Sequence, residues 1–112
     1  MEAYNVKAVT VDLIVTLGDS ISMTFDTTIN GVDYFFTGKQ VDMKIKRFDD
    51  TELQSLSSAG ASPKIVLSGK QFTISPVAIT ETGPFKYDIQ VTDNGNVSTF
   101  MKGKLITNPS IT

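Results

Sequence analysis

Apolar side chains recur at every second position along most of this chain. Val9, Val11, Leu13, Val15 and Leu17 fall on one side of an extended backbone, with Thr10, Asp12, Ile14 and Thr16 on the other. Successive Cβ atoms of a strand point to opposite faces, so this spacing makes a half-buried β-strand, whereas a helix would scatter the same residues around its axis. Ile21, Met23 and Phe25 repeat the pattern after Gly18-Asp19, a break that allows either a hairpin or a crossing between sheets. Val41, Met43 and Ile45 alternate with Asp42, Lys44 and Lys46, the clearest strand with one dry and one wet face. Phe85, Tyr87, Ile89 and Val91 alternate with Lys86, Asp88 and Gln90, and a long final strand is expected over 97–107, with Gly103 as a bulge candidate.

Turn chemistry separates these runs. Asn30-Gly31, Thr37-Gly38, Ser68-Gly69, Gly83-Pro84 and Asn94-Gly95 are the punctuation, and shorter strands are expected at 64–67 and 71–75. One segment breaks the alternation. Thr51-Glu52-Leu53-Gln54 fits a capping box with Thr51 as N-cap, so one short helix or turn is expected near residues 51–57. The sum is an all-β single domain over 1–112: an antiparallel immunoglobulin-like β-sandwich of about seven strands, with a small barrel as the alternative.

Composition matters chiefly for what it excludes. The 112 residues include neither Cys nor His. Thiolate nucleophiles, disulfides, His-dependent triads and Cys- or His-based metal sites are therefore ruled out. With 10 basic and 12 acidic residues the net charge is −2, no basis for a nucleic-acid binder. The charge divides as −4 over residues 1–56 and +2 over 57–112. The longest apolar run, near Leu13–Leu17, is far short of the ~20 residues that span a bilayer. Met1 to Asn5 carry no basic, apolar leader pattern, so no secretory signal and no membrane partner are expected.

Several strings imitate catalytic or ligand motifs. Leu17-Gly18-Asp19-Ser20 is similar to the nucleophile block of GDSL-type esterases, but with no His to serve as base Ser20 is an ordinary turn hydroxyl. Thr37-Gly38-Lys39 and Ser68-Gly69-Lys70 imitate phosphate loops. Asp33 and Lys64 stand where the first Gly belongs and Gln follows each Lys, so both read as turns. Asp93-Asn94-Gly95-Asn96 lacks the ligand spacing of a calcium loop and reads as a hairpin. Asp49, Asp50 and Glu52 are better explained by a helix N-terminus than by paired-carboxylate chemistry. Lys44, Lys46 and Arg47 are interleaved with Asp42, Asp49 and Asp50, which dilutes any basic patch. Tyr34-Phe35-Phe36 is the one aromatic run. In an extended backbone Phe35 must point away from Tyr34 and Phe36, so these three residues are candidates either for core and local capping or for a subunit interface. No catalytic, metal or cofactor residue is expected, and the chain is read as a non-enzyme.

Three blocks together carry a family resemblance. They are Gly18-Asp19-Ser20 leading into the Phe25 strand, Asn30-Gly31 followed by Phe36-Thr37-Gly38 and the strand to Arg47, and Tyr87-Asp88-Ile89-Gln90-Val91-Thr92 with the Asn94-Gly95 turn, Thr99 to Lys104 and the closing Ile111-Thr112. The third is the most specific. Together they resemble small virion proteins of tailed bacteriophages, similar in layout to the N-terminal domain of phage baseplate upper proteins. That resemblance implies an immunoglobulin-like assembly module without a catalytic site. It also implies synthesis in the host cytoplasm, residence in the virion and contacts with baseplate, tail-fibre or capsid subunits, as part of a symmetric oligomer. The expected role is an adaptor at the baseplate or tail-fibre attachment zone. Capsid decoration, the base of a head fibre, and an immunoglobulin-like module binding a host glycan or protein are the alternatives.

Overall fold

The computed structural model describes residues 9–20, 22–29 and 31–109. Every regular element among them is a β-strand. The larger sheet contains β1 (Val9–Thr10), β2 (Leu13–Thr16), β6 (Gln40–Lys46), β7 (Glu52–Ser57), β10 (Phe85–Asp93) and β11 (Asn96–Asn108). Its order is β1-β11-β10-β6-β7, with β2 continuing along β11 past the end of β1. The smaller sheet is β3 (Met23–Asp26), β9 (Gln71–Ile74) and β8 (Ile65–Ser68), in the order β3-β9-β8. A two-stranded ribbon, β4 (Thr28–Ile29) and β5 (Val32–Asp33), turns through Gly31. The partner turn residue Asn30 lies outside the described residues, as do Ile21, Ile111 and Thr112.

Alternation places the core. Leu13, Val15, Val41, Met43, Ile45, Phe85, Tyr87, Ile89, Val91, Met101 and Leu105 come from the larger sheet, and Ile65, Phe72 and Ile74 from the smaller. All are buried in one cluster, which Leu56 of β7 and, from outside the strands, Phe36 and Ile79 complete. Each sheet thus withdraws the apolar face of the other from water, at roughly 1.5–3 kcal/mol per large side chain. The break at Gly18-Asp19 is a crossing between sheets, since β2 and β3 lie in different ones. The Asn94-Gly95 turn is a hairpin with φ of 51° and 83°, both left-handed, as a two-residue turn between twisted strands requires.

The expected helix near residues 51–57 is absent; the segment is β7, antiparallel to β6. Both capping-box side chains are engaged elsewhere. Thr51 donates its N–H (3.0 Å) and hydroxyl (2.6 Å) to Asp49 Oδ1 within the β6–β7 turn. Gln54 reaches out of the sheet, donating to Val77 O (2.8 Å) and accepting from Val77 N–H (3.0 Å). A six-residue helix forms few internal bonds for its nucleation cost, whereas β6 offers a ready ladder and the core takes Leu56.

Two further expectations change. The pairing is not wholly antiparallel: β1 and β2 both run parallel to β11. The bulge in β11 lies at Phe100, between the pairs Ile89–Met101 and Gln90–Thr99, and not at Gly103. The extra residue lets consecutive side chains, Phe100 and Met101, both pack on the core. Gly103 answers a different need. A Cβ there would meet Val11 O at 2.0 Å, because the kink between β1 and β2 leans over this point. The kink is held by Val11 N–H to Lys102 O (2.9 Å), by the Tyr87 hydroxyl donating to Val11 O, and by Asp12 Oδ1 accepting from Lys104 N–H (3.1 Å).

Candidate interaction surfaces

Tyr34, Phe35 and Phe36 occupy an extended segment between β5 and β6, outside any ladder, and they alternate as the backbone demands. Phe36 is 2% exposed and lies edge-on to Phe72 at 5.6 Å between ring centroids. Tyr34 is half-buried against Phe36 (5.3 Å), with Lys39 Nζ 4.1 Å from its own ring centroid on the outer side. Phe25 and Phe100 complete the aromatic group through Phe72, at 5.1 and 5.4 Å. Phe35 is the outward member at 55% exposed, and Lys39 Nζ donates to its carbonyl (3.0 Å). Of the three, Phe36 is core, Tyr34 is a cap, and Phe35 is presented to the outside with Val32, itself exposed, nearby in the chain.

The imitated motifs are resolved by geometry. Ser20 is exposed beside the β2–β3 crossing. Thr37-Gly38 and Gly69-Lys70 are turns leading into β6 and β9. The acidic pair is committed to neighbours. Asp49 is held below the usual carboxylate range by the Thr51 hydroxyl and N–H. Asp50, at φ 71°, bonds Lys86 and is lowered by that contact. Among the described residues no group of acidic side chains is arranged to hold a metal ion.

A second surface assembles from residues far apart in sequence. The wet face of β6, β10 and β11 is a shallow basin of about 460 Å³ whose lining includes Lys44, Lys46, Lys86, Lys102 and Lys104. Register explains the crowding. Lys86 stands directly opposite Lys46 on one side and Lys104 on the other, three lysines in one cross-strand row. The next row is Lys44, Asp88 and Lys102. Asp12 and Asp50 lie at the margins of the basin. Lys86 is paired with Asp50; the other four lysines form no salt bridge among the described residues.

Lys44 and Lys46 stand out in the sequence, yet there they look diluted by their acidic neighbours. Asp42 lies one row further along the sheet, opposite Gln90, while Asp49 and Asp50 belong to the turn. The lysines that join Lys44 and Lys46 come from strands about 40 and 60 positions later, and only pairing register brings them together. One signal was available: Lys86, Lys102 and Lys104 all occupy polar positions of alternating strands. No protein-family model matches the chain, and no curated protein matches it.

Proposed function

We propose that the chain is a non-enzymatic structural subunit of a tailed-phage virion, an assembly or adaptor protein at the baseplate or tail-fibre attachment zone. The observation that carries this reading is the β10–β11 hairpin. Tyr87 to Thr92, the Asn94-Gly95 turn and Thr99 to Lys104 form the block that most specifically resembles small phage virion proteins, and they fall on one continuous paired unit with the turn at its tip. The two mainly antiparallel sheets, ordered β1-β11-β10-β6-β7 and β3-β9-β8 and sharing one core, support reading the fold as an immunoglobulin-like sandwich. Such a sandwich presents open strand edges, here at β7 and β8, and loops to neighbours in an assembly. Phe35 is the apolar side chain of the aromatic run that is placed to touch one.

Mass spectrometry of purified particles tests the reading. A low copy number relative to the major capsid protein supports the baseplate or fibre zone. A copy number matching the capsid lattice favours decoration of the head or the base of a head fibre. Absence from intact particles overturns the virion reading and leaves a binding module for a host glycan or protein.

A further inference from the structure

We infer that the lysine-lined face of β6, β10 and β11 is a docking surface for an acidic, carboxylate-bearing segment of a partner protein. The inference rests on the assembly reading and names the chemistry of the partner. Neighbouring strands lie about 4.8 Å apart, so the charge of Lys86 lies well inside one screening length of both Lys46 and Lys104. Like charges directly opposite in a sheet are destabilising. The fold does not need them, because the dry side of the same strands already supplies the core through Ile45, Tyr87, Met101 and Leu105. The basin carries five lysines against three aspartates in a chain whose net charge is −2. The rest of the molecule is correspondingly acidic, so the positive potential is local to this face.

The fold already contains a small version of the contact. Asp50 is carried on the β6–β7 turn and its carboxylate lies on Lys86, the central lysine of the row. Lys46 and Lys104, on either side, form no salt bridge among the described residues and can meet carboxylates supplied from outside. The pattern of charge also selects against a nucleic acid. Asp88 sits in the middle of the second row, where it repels a phosphodiester backbone, and among the described residues no exposed aromatic ring lines the basin for a base to stack on. A polypeptide with spaced carboxylates can straddle Asp88 and meet Lys44 and Lys102 on both sides.

The test is a titration of the full chain with a fluorescent deca-glutamate peptide, followed by anisotropy at about 50 mM and about 300 mM salt. A single-stranded oligonucleotide of equal charge is run beside it. Saturable, salt-sensitive binding of the peptide is expected, weakened roughly five-fold or more in the Lys46→Gln/Lys104→Gln double variant. Asp88→Asn should tighten it by about two-fold or more, a gain that a purely structural role for these residues does not produce. Should the double variant lose its circular-dichroism spectrum, Asp88→Asn alone decides. No saturation at low salt, no change in either folded variant, or tighter binding of the oligonucleotide overturns the inference. The titration never refers to the particle, so its failure is distinct from absence of the chain from virions.

Discussion

Phe35 and Phe36 are adjacent and chemically identical, yet one is buried in the aromatic group and the other stands in solvent. Their substitutions should separate accordingly. Phe36→Ala removes a ring packed against Tyr34, Phe72 and Phe100 and is expected to cost about 3–5 kcal/mol in urea unfolding. Phe35→Ser is expected to stay within about 0.5 kcal/mol of the parent and, under the proposed virion role, to weaken incorporation into particles. Equal losses of stability would show that Phe35 is structural. Tyr87 offers a pH test. Burial, and secondly the charge of Asp12, push its phenol from 10.0 up to about 12. The folded chain keeps this proton where the unfolded chain releases it, so the stabilisation is whole below pH 10 and is lost as pH rises through about 12. Urea midpoints should fall across that window in the parent and fall less steeply in Tyr87→Phe. The opposite directions of Phe35 and Phe36 were legible in the sequence, because alternation alone fixes them. The need for glycine at 103 was not: it depends on Val11 O, 92 positions earlier, passing over that point.

At the scale of elements, most strands follow from period two, and the one misread segment shows the limit of local pattern. Thr51 to Gln54 has the letters of a capping box, but the box requires the Thr51 hydroxyl to accept from the Gln54 N–H, and here it accepts from Arg47 Nη1 (3.3 Å) while donating to Asp49. The decisive facts were the ladder offered by β6 and the partner of Gln54 at Val77, and the second lies 23 positions away, outside any ten-residue window. Hydrogen exchange separates the two conformations. As an edge strand bonded on one side only, β7 should show protected and fast amides in alternation over Glu52–Ser57. A continuous run of protected amides would mean a helix and refute the strand. The bulge at Phe100 was equally hidden, since nothing in Thr99-Phe100-Met101 marks an extra residue until the strand is laid against β10.

For the whole molecule, the all-β class and the hairpin at Asn94-Gly95 were readable because each rests on spacing or turn chemistry within a few residues. The basic face was not, because its lysines become neighbours only through the register of β6 and β11 on β10. The same long-range pairing governs β1 and β2, whose partner is the last strand of the described chain. A ribosome delivers Leu13 and Val15 early, but Leu105 and Thr107, against which they are registered, emerge some 90 residues later. Until then the leading strand has no ladder and the core lacks its closing side, so the domain cannot complete its fold before β11 is made and its first apolar strand waits unpaired. A chain stopped after residue 100 should lack both the parallel pairings and Leu105, and it is expected to remain unfolded by circular dichroism. Arrival of β11, and not the appearance of any single hairpin, is the event that makes this domain a folded body.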